Sequence, residues 1–154
     1  MANGITYGIN FPFQDSYTGK FLSLSETTND EIRSNLIHLL LTRKGSRYFL
    51  PDFGTRIYEF IFEPLDGPTF NEIESDIKDS VERFIPNLLI NNISIAPLLE
   101  SEPDPIAQNS NPDLDPRIYM LPGRATQEYT AKVKIEYTVT NDVFNSKDFV
   151  IINI

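Results

Sequence analysis

An α+β fold is predicted for this chain: two main helices and a short one packed on a small, mainly antiparallel sheet that ends in a C-terminal hairpin. Three features of the sequence carry that expectation. Segments starting at Thr28 and Thr69 repeat apolar residues at helical spacing behind capping-type starts. Ala131 to Thr140 alternates apolar and polar residues with the period of a half-buried strand. Across a turn from it, Phe149 to Ile154 closes the chain with an almost continuous apolar run.

Length and composition bound the rest. At 154 residues the chain is one domain, or one domain plus an arm, with 40% hydrophobic and 12% aromatic residues, ordinary for a globular protein. It has no cysteine, which excludes disulfides and thiolate metal sites and fits a reducing cytoplasm. Met1-Ala2-Asn3-Gly4 lacks the basic start and apolar run of a signal peptide. No stretch approaches the ~20 apolar residues that span a bilayer. The net charge of -9 and pI near 4.5 argue against nucleic acid, because phosphate contacts need clustered Lys and Arg.

Residues 1 to 27 are aromatic and polar, with Phe11-Pro12-Phe13 excluding a helix interior and Gly19 to Ser25 alternating like a short strand. An extended arm laid over the domain or a neighbour, and an N-terminal strand of the protein's own sheet, both fit. The first helix starts at Thr28, with Glu31 three residues on. Ile32, Leu36, Leu39 and Leu40 fall within roughly a 100° arc, while Ile37 and Leu41 lie outside it, so burial on more than one side is expected. His38 lies opposite the stripe and has no second histidine, which makes it a poor metal or catalytic candidate.

After this helix the chain turns sharply. Arg43 and Lys44 are placed in its last turn, where cations complement the macrodipole, and Gly45 takes the helix-ending conformation. Leu50-Pro51 is extended, and Asp52-Phe53-Gly54 is a tight turn with positive φ available at Gly54. Four of the thirteen Lys and Arg residues lie between Arg43 and Arg56. In so acidic a chain, that concentration marks a docking point or an ordinary solvated loop.

A short second helix covers Thr55 to Phe62 and stops before Pro64. Asp66-Gly67-Pro68 turns, and Thr69 with Glu72 repeats the capping-box spacing ahead of a helix to about Phe84. Phe70, Ile73, Ile77, Val81 and Phe84 share roughly an 80° arc, with Glu72, Asp76, Asp79 and Glu82 on the other face. Leu88 to Ile95 is a strand. From about 99 to 117 the chain is acidic and Pro-rich, with no basic residue between Arg83 and Arg117, and is expected to be a surface loop in the single domain 28–154. In the strand from Ala131, Val133, Ile135, Tyr137 and Val139 face the core. The last strand is apolar on both faces, a liability at a sheet edge. A partner that covers or pairs with it, and a central place in its own sheet, both resolve that.

The run Thr42 to Gly54, TRKGSRYFLPDFG, followed by Ile61-Phe62-Glu63, resembles the small baseplate wedge protein of contractile phage tails. That family is also called sheath-initiator or lysozyme-like, and a relative occurs in type VI secretion baseplates. The resemblance spans Ile32 to Ile95. It departs at the end of the long helix, where the family's Glu-Pro-Arg is Ile85-Pro86-Asn87, the proline kept without its charges. The resemblance implies a structural virion component of the tail baseplate, assembled in the host cytoplasm, that joins the wedge core to the first sheath ring and starts sheath assembly. Its implied partners are other baseplate wedge proteins, the tail sheath protein, and tail tube or hub proteins, with no cofactor, nucleic acid or membrane. Contacts to the wedge core are implied for Arg43, Lys44, Gly45, Arg47, Pro51, Asp52, Phe53, Gly54, Phe62, Glu63, Pro64 and Pro86. Strand addition by sheath subunits is implied for Phe149, Val150, Ile151, Ile152, Asn153 and Ile154.

The lysozyme-like name raises a peptidoglycan hydrolase as the alternative. Such chemistry needs two carboxyls ~5 Å apart in retaining enzymes or ~6.5–9.5 Å in inverting ones, and Asp52, Glu59, Glu63 and Asp66 offer candidates. With 22 acids in the chain, a close pair is a weak signal. No Gly-x-Ser-x-Gly elbow or phosphate-binding Gly-rich loop is present, and Asp113-Leu114-Asp115 lacks the glycine and glutamate of a calcium loop.

Overall fold

The computed structural model describes residues 7–11, 13–16, 19, 21–60, 67–97, 118–120, 131–140 and 146–153. Among them, two strands of two residues precede the helices: β1 (Gly8–Ile9) pairs antiparallel with β2 (Leu24–Ser25). This ribbon forms no part of the main sheet and lies on the first helix, where the Phe11 amide donates to Ser34 Oγ at 3.2 Å.

Helix α1 (Thr28–Leu41) begins where its sequence predicts, but the cap sits one residue earlier. Thr27 has the extended backbone of an N-cap, and its Oγ1 accepts from the Asp30 amide at 3.1 Å while donating to the Asp30 carboxylate. Both Thr27 and Thr28 have an acid three residues on, so spacing alone does not separate them. Ile32, Leu36, Leu39 and Leu40 are buried, and so is Ile37 on the second side. The helix stops at Leu41, so Arg43 and Lys44 lie beyond it rather than in its last turn.

Helix α2 is one turn, Ile57–Phe60, with Ile57 and Phe60 buried; Phe62, Glu63 and Pro64 lie outside the described residues. Helix α3 (Gly67–Phe84) starts two residues before the expected Thr69, which is buried inside it. Pro68 explains the shift: in the first turn its missing N–H has no helical acceptor to forgo, and its fixed φ suits the helix. The predicted stripe holds, with Ile73, Ile77 and Val81 buried and Phe70 and Phe84 at its half-buried margins.

The four-stranded sheet has the order β3–β5–β6–β4, with β3 at Leu88–Pro97, β4 at Ile118–Met120, β5 at Ala131–Val139 and β6 at Lys147–Asn153. β5 is antiparallel to both neighbours. Its register aligns Ile95, Val133 and Ile152 across one face, then Ile93, Ile135 and Val150, and this face closes the core against the helices. β3 carries a bulge at Asn91, between Ile90 and Asn92.

The connectivity departs from a simple meander. β4, which has no period to reveal it, skips past β5 and pairs in parallel on the far side of β6. Its register is Ile118↔Ile151, Tyr119↔Ile152 and Met120↔Asn153. The closing strand is therefore flanked on both sides along its last three described residues. Val150, Ile151 and Ile152 are all buried, as two apolar faces require. The acidic stretch 99–117 and Ile154 lie outside the described residues.

Candidate protein-docking surfaces

The basic turn is a loop closed at its neck. After Leu41, the Thr55 amide donates to the Thr42 carbonyl at 2.9 Å and the Lys44 amide to the Thr55 carbonyl at 3.1 Å, a short parallel bridge between Arg43 and Thr55. Buried Thr55 adds a hydroxyl bond to the Leu40 carbonyl, fastening the returning chain to the end of α1. Gly54 makes that return possible. Its φ is +117°, and a Cβ there would stand 2.3 Å from the Thr42 oxygen. Its own carbonyl accepts from Ser80 Oγ on α3.

Rings hold the loop from beneath. Phe11 stacks on His38, His38 meets Phe53 and Phe53 meets Phe84 edge-on, with centroids 5.6, 5.6 and 5.2 Å apart. This line joins the N-terminal ribbon, α1, the loop and α3. The Arg47 guanidinium lies 4.4 Å from the Phe53 ring centre, a cation–π contact. Burial, and then the Arg47 charge, lower the His38 pKa below its ordinary value. His38 is thus a packing residue of the loop's seat.

The predicted wedge-contact residues separate into two groups. Arg43, Lys44, Gly45, Arg47, Pro51 and Asp52 are exposed on the loop, and Pro86 is exposed beyond α3. Phe53 and Gly54 turn inward and position the others. The charge is partly balanced within the chain: Asp52 pairs with Arg83 at 2.9 Å, and Lys44 approaches Asp76 at 4.0 Å. Among the described residues, no carboxylate stands within ion-pair distance of Arg43 or Arg47.

Sequence reasoning missed the loop's tip. Tyr48 and Phe49 are 97% and 99% exposed, and Leu50 is 44% exposed. The signal was present: three apolar residues between Gly45 and Pro51, where no helix or strand can bury them.

The second surface is the edge of β6. Asp148, on the core face, accepts from Arg33 Nε of α1 at 3.1 Å and lies 3.4 Å from the Tyr137 hydroxyl. Burial and then the nearby carboxylate raise the Tyr137 pKa, keeping its hydroxyl protonated. β5 covers one edge of β6 along its length, whereas β4 covers the other only at Ile151–Asn153. Arg33 is in the second turn of α1 and the basic loop follows its end, about 12 Å further along the axis at 1.5 Å per residue. The two surfaces can therefore meet different neighbours.

The hydrolase candidates do not form a catalytic pair among the described residues. Asp52 is paired with Arg83, and Glu59 with Arg56 at 2.8 Å; Glu63 and Asp66 lie outside the described residues. A cleft of about 650 Å³ runs beside the ring stack, and among the described residues that line it the one carboxylate is Glu31. No group of three His, Asp or Glu side chains suited to a metal occurs among the described residues. No described helix is long and apolar enough to cross a membrane.

Residues 26–111 match the family described as baseplate wedge protein gp25. The baseplate wedge protein gp25 of Enterobacteria phage T4 is 29% identical over 69 residues, 45% of this chain and 52% of that protein. The match thus spans about half the length of the phage protein. Two solved structures share the fold. One is the baseplate of the anti-feeding prophage, at TM-score 0.60 and 19% identity over 88% of this chain and 86% of that chain. The other, from Geobacter sulfurreducens and described as a tail lysozyme, has TM-score 0.57 and 18% identity over 83% and 90%.

Proposed function

Because the chain belongs to the baseplate wedge protein gp25 family, and so to the structural components of contractile-tail baseplates, we propose that it joins the wedge core to the first sheath ring and starts sheath assembly by strand addition. The observation that carries this reading is the slight hold of β4 on β6, a parallel pairing of three residues, Ile118–Met120 against Ile151–Asn153. β5, by contrast, pairs with β6 from Lys147 to Asn153. Parallel pairing is slightly weaker per residue than antiparallel pairing, and a three-residue strand is easily peeled away. A strand from a sheath subunit displaces β4 and pairs along that edge of β6, with main-chain hydrogen bonds supplying affinity. The other end of the sheet is blunted: the bulge at Asn91 bends β3 and interrupts its ladder.

In this role the basic loop with Pro86 faces other wedge proteins, tube or hub proteins adjoin the same baseplate, and Phe149 to Ile154 faces the sheath. The protein acts as a scaffold of the virion tail, assembled in the host cytoplasm, and not as a peptidoglycan hydrolase. Asp52 and Glu59 support the scaffold reading, since each is held by an arginine rather than aimed with its fellow into a cleft.

Deleting Asp148 to Ile154 would strip Val150, Ile151 and Ile152 from the interior, so a reversible lock is the better test. The chain has no cysteine, and Met120 and Asn153 are register partners of β4 and β6. A Met120→Cys, Asn153→Cys pair, oxidised, is expected to enter baseplates but block sheath growth, which reductant restores. Normal sheath growth on the oxidised particles refutes strand exchange at this edge.

A further inference from the structure

We infer that Tyr48 and Phe49 form a preformed anchor that inserts into an apolar cleft, rimmed by Asp and Glu, on a neighbouring baseplate protein. The inference rests on the wedge-contact role proposed for the basic loop and identifies the residues that carry its affinity.

Tyr48 and Phe49 are exposed almost completely, with ring centres 6.3 Å apart. Neither contributes to the interior, so packing of this chain gives no reason for two large rings there. The loop that bears them is nevertheless fixed. The Gly45 amide donates to the Pro51 carbonyl at 2.7 Å across the base of the tip, and the Phe53 amide donates to the Leu50 carbonyl at 3.1 Å. Below these lie the Arg43–Thr55 bridge and the ring stack. Little conformational freedom of the backbone is left to lose on docking, which favours tight association. Aromatic side chains in that position are the typical anchors of protein interfaces, surrounded by polar contacts that exclude water.

Charge identifies the rim. Arg43 and Arg47 flank the tip, are exposed, and have no carboxylate within ion-pair distance among the described residues. They call for acids on the facing surface. A membrane surface fits less well, since a molecule of net charge -9 is repelled by anionic lipid.

The test uses assembled particles. Benzoylphenylalanine at position 49 should photo-cross-link to another baseplate protein, at a site rich in aliphatic residues with Asp or Glu beside it. The Tyr48→Ser, Phe49→Ser variant should keep the wild-type melting temperature yet bind into baseplates about thirtyfold more weakly, or worse. Wild-type incorporation of that variant overturns the anchor while leaving the baseplate role intact. Cross-linking to a second copy of this chain, absence of any cross-link, or flotation of the purified wild-type protein with phosphatidylglycerol vesicles that the variant abolishes overturns it equally. Absence of the wild-type chain from particles overturns both readings.

Discussion

The loop's geometry depends on one glycine, and Gly54→Ala tests that dependence. At φ +117° an alanine is strained by about 1–3 kcal/mol. Its Cβ would also meet the Thr42 oxygen at 2.3 Å, an atom that accepts the Thr55 amide. Relieving that contact loosens a hydrogen bond worth about 1 kcal/mol. The sum is about 2–4 kcal/mol, or a melting temperature lower by about 4–15 °C for a chain of this size. Gly45→Ala is the control. Its φ is +86°, but nothing lies within 4 Å of the added carbon, so about 1 kcal/mol is expected. Thermal unfolding followed by circular dichroism compares the two. Equal, small losses would show that the Thr42–Thr55 neck yields freely and does not fix the loop.

Two further outcomes follow from the electrostatics. His38 has a lowered folded pKa, so the unfolded chain takes up its proton first, and the stability His38 confers is present above about pH 6.5 and lost on acidification below it. Denaturant titrations at pH 7.5 and 5.5 should show a fall for the wild type that shrinks in His38→Gln; an unchanged fall assigns it to other groups. Asp148→Ala should cost about 1–3 kcal/mol, since it leaves the largely buried Arg33 guanidinium and the Tyr137 hydroxyl without their shared carboxylate. A loss below about 0.5 kcal/mol would show that solvent replaces it.

Periodic signals carried most of the fold. Ile73, Ile77 and Val81 on α3, and Val133, Ile135, Tyr137 and Val139 on β5, are buried where their spacing puts them, because solvent penalises any other orientation of such regular stripes. What escaped the sequence lacked a period or depended on distant contacts. β4 is three residues long and pairs with a strand some thirty positions later. Arg43 and Lys44 fall outside α1 because Thr42 bonds forward to Thr55, a competition invisible in helix propensity. His38 acquires its role from Phe11 and Phe53, neither within a helical turn of it. The exposure of Tyr48 and Phe49 likewise depends on how neighbouring elements meet the loop: α1 and α3 reach Phe53, Asp52 and Gly54 at its base and leave the two rings of the tip exposed.

The central claim, that another chain's backbone completes this sheet, is tested most directly by cryo-electron microscopy of assembled tails at side-chain resolution. The account predicts a strand from a sheath subunit hydrogen-bonded along β6 from Lys147, with residues 118–120 displaced from Ile151–Asn153. Density showing β4 still seated there, and no foreign strand against Lys147–Val150, would contradict it.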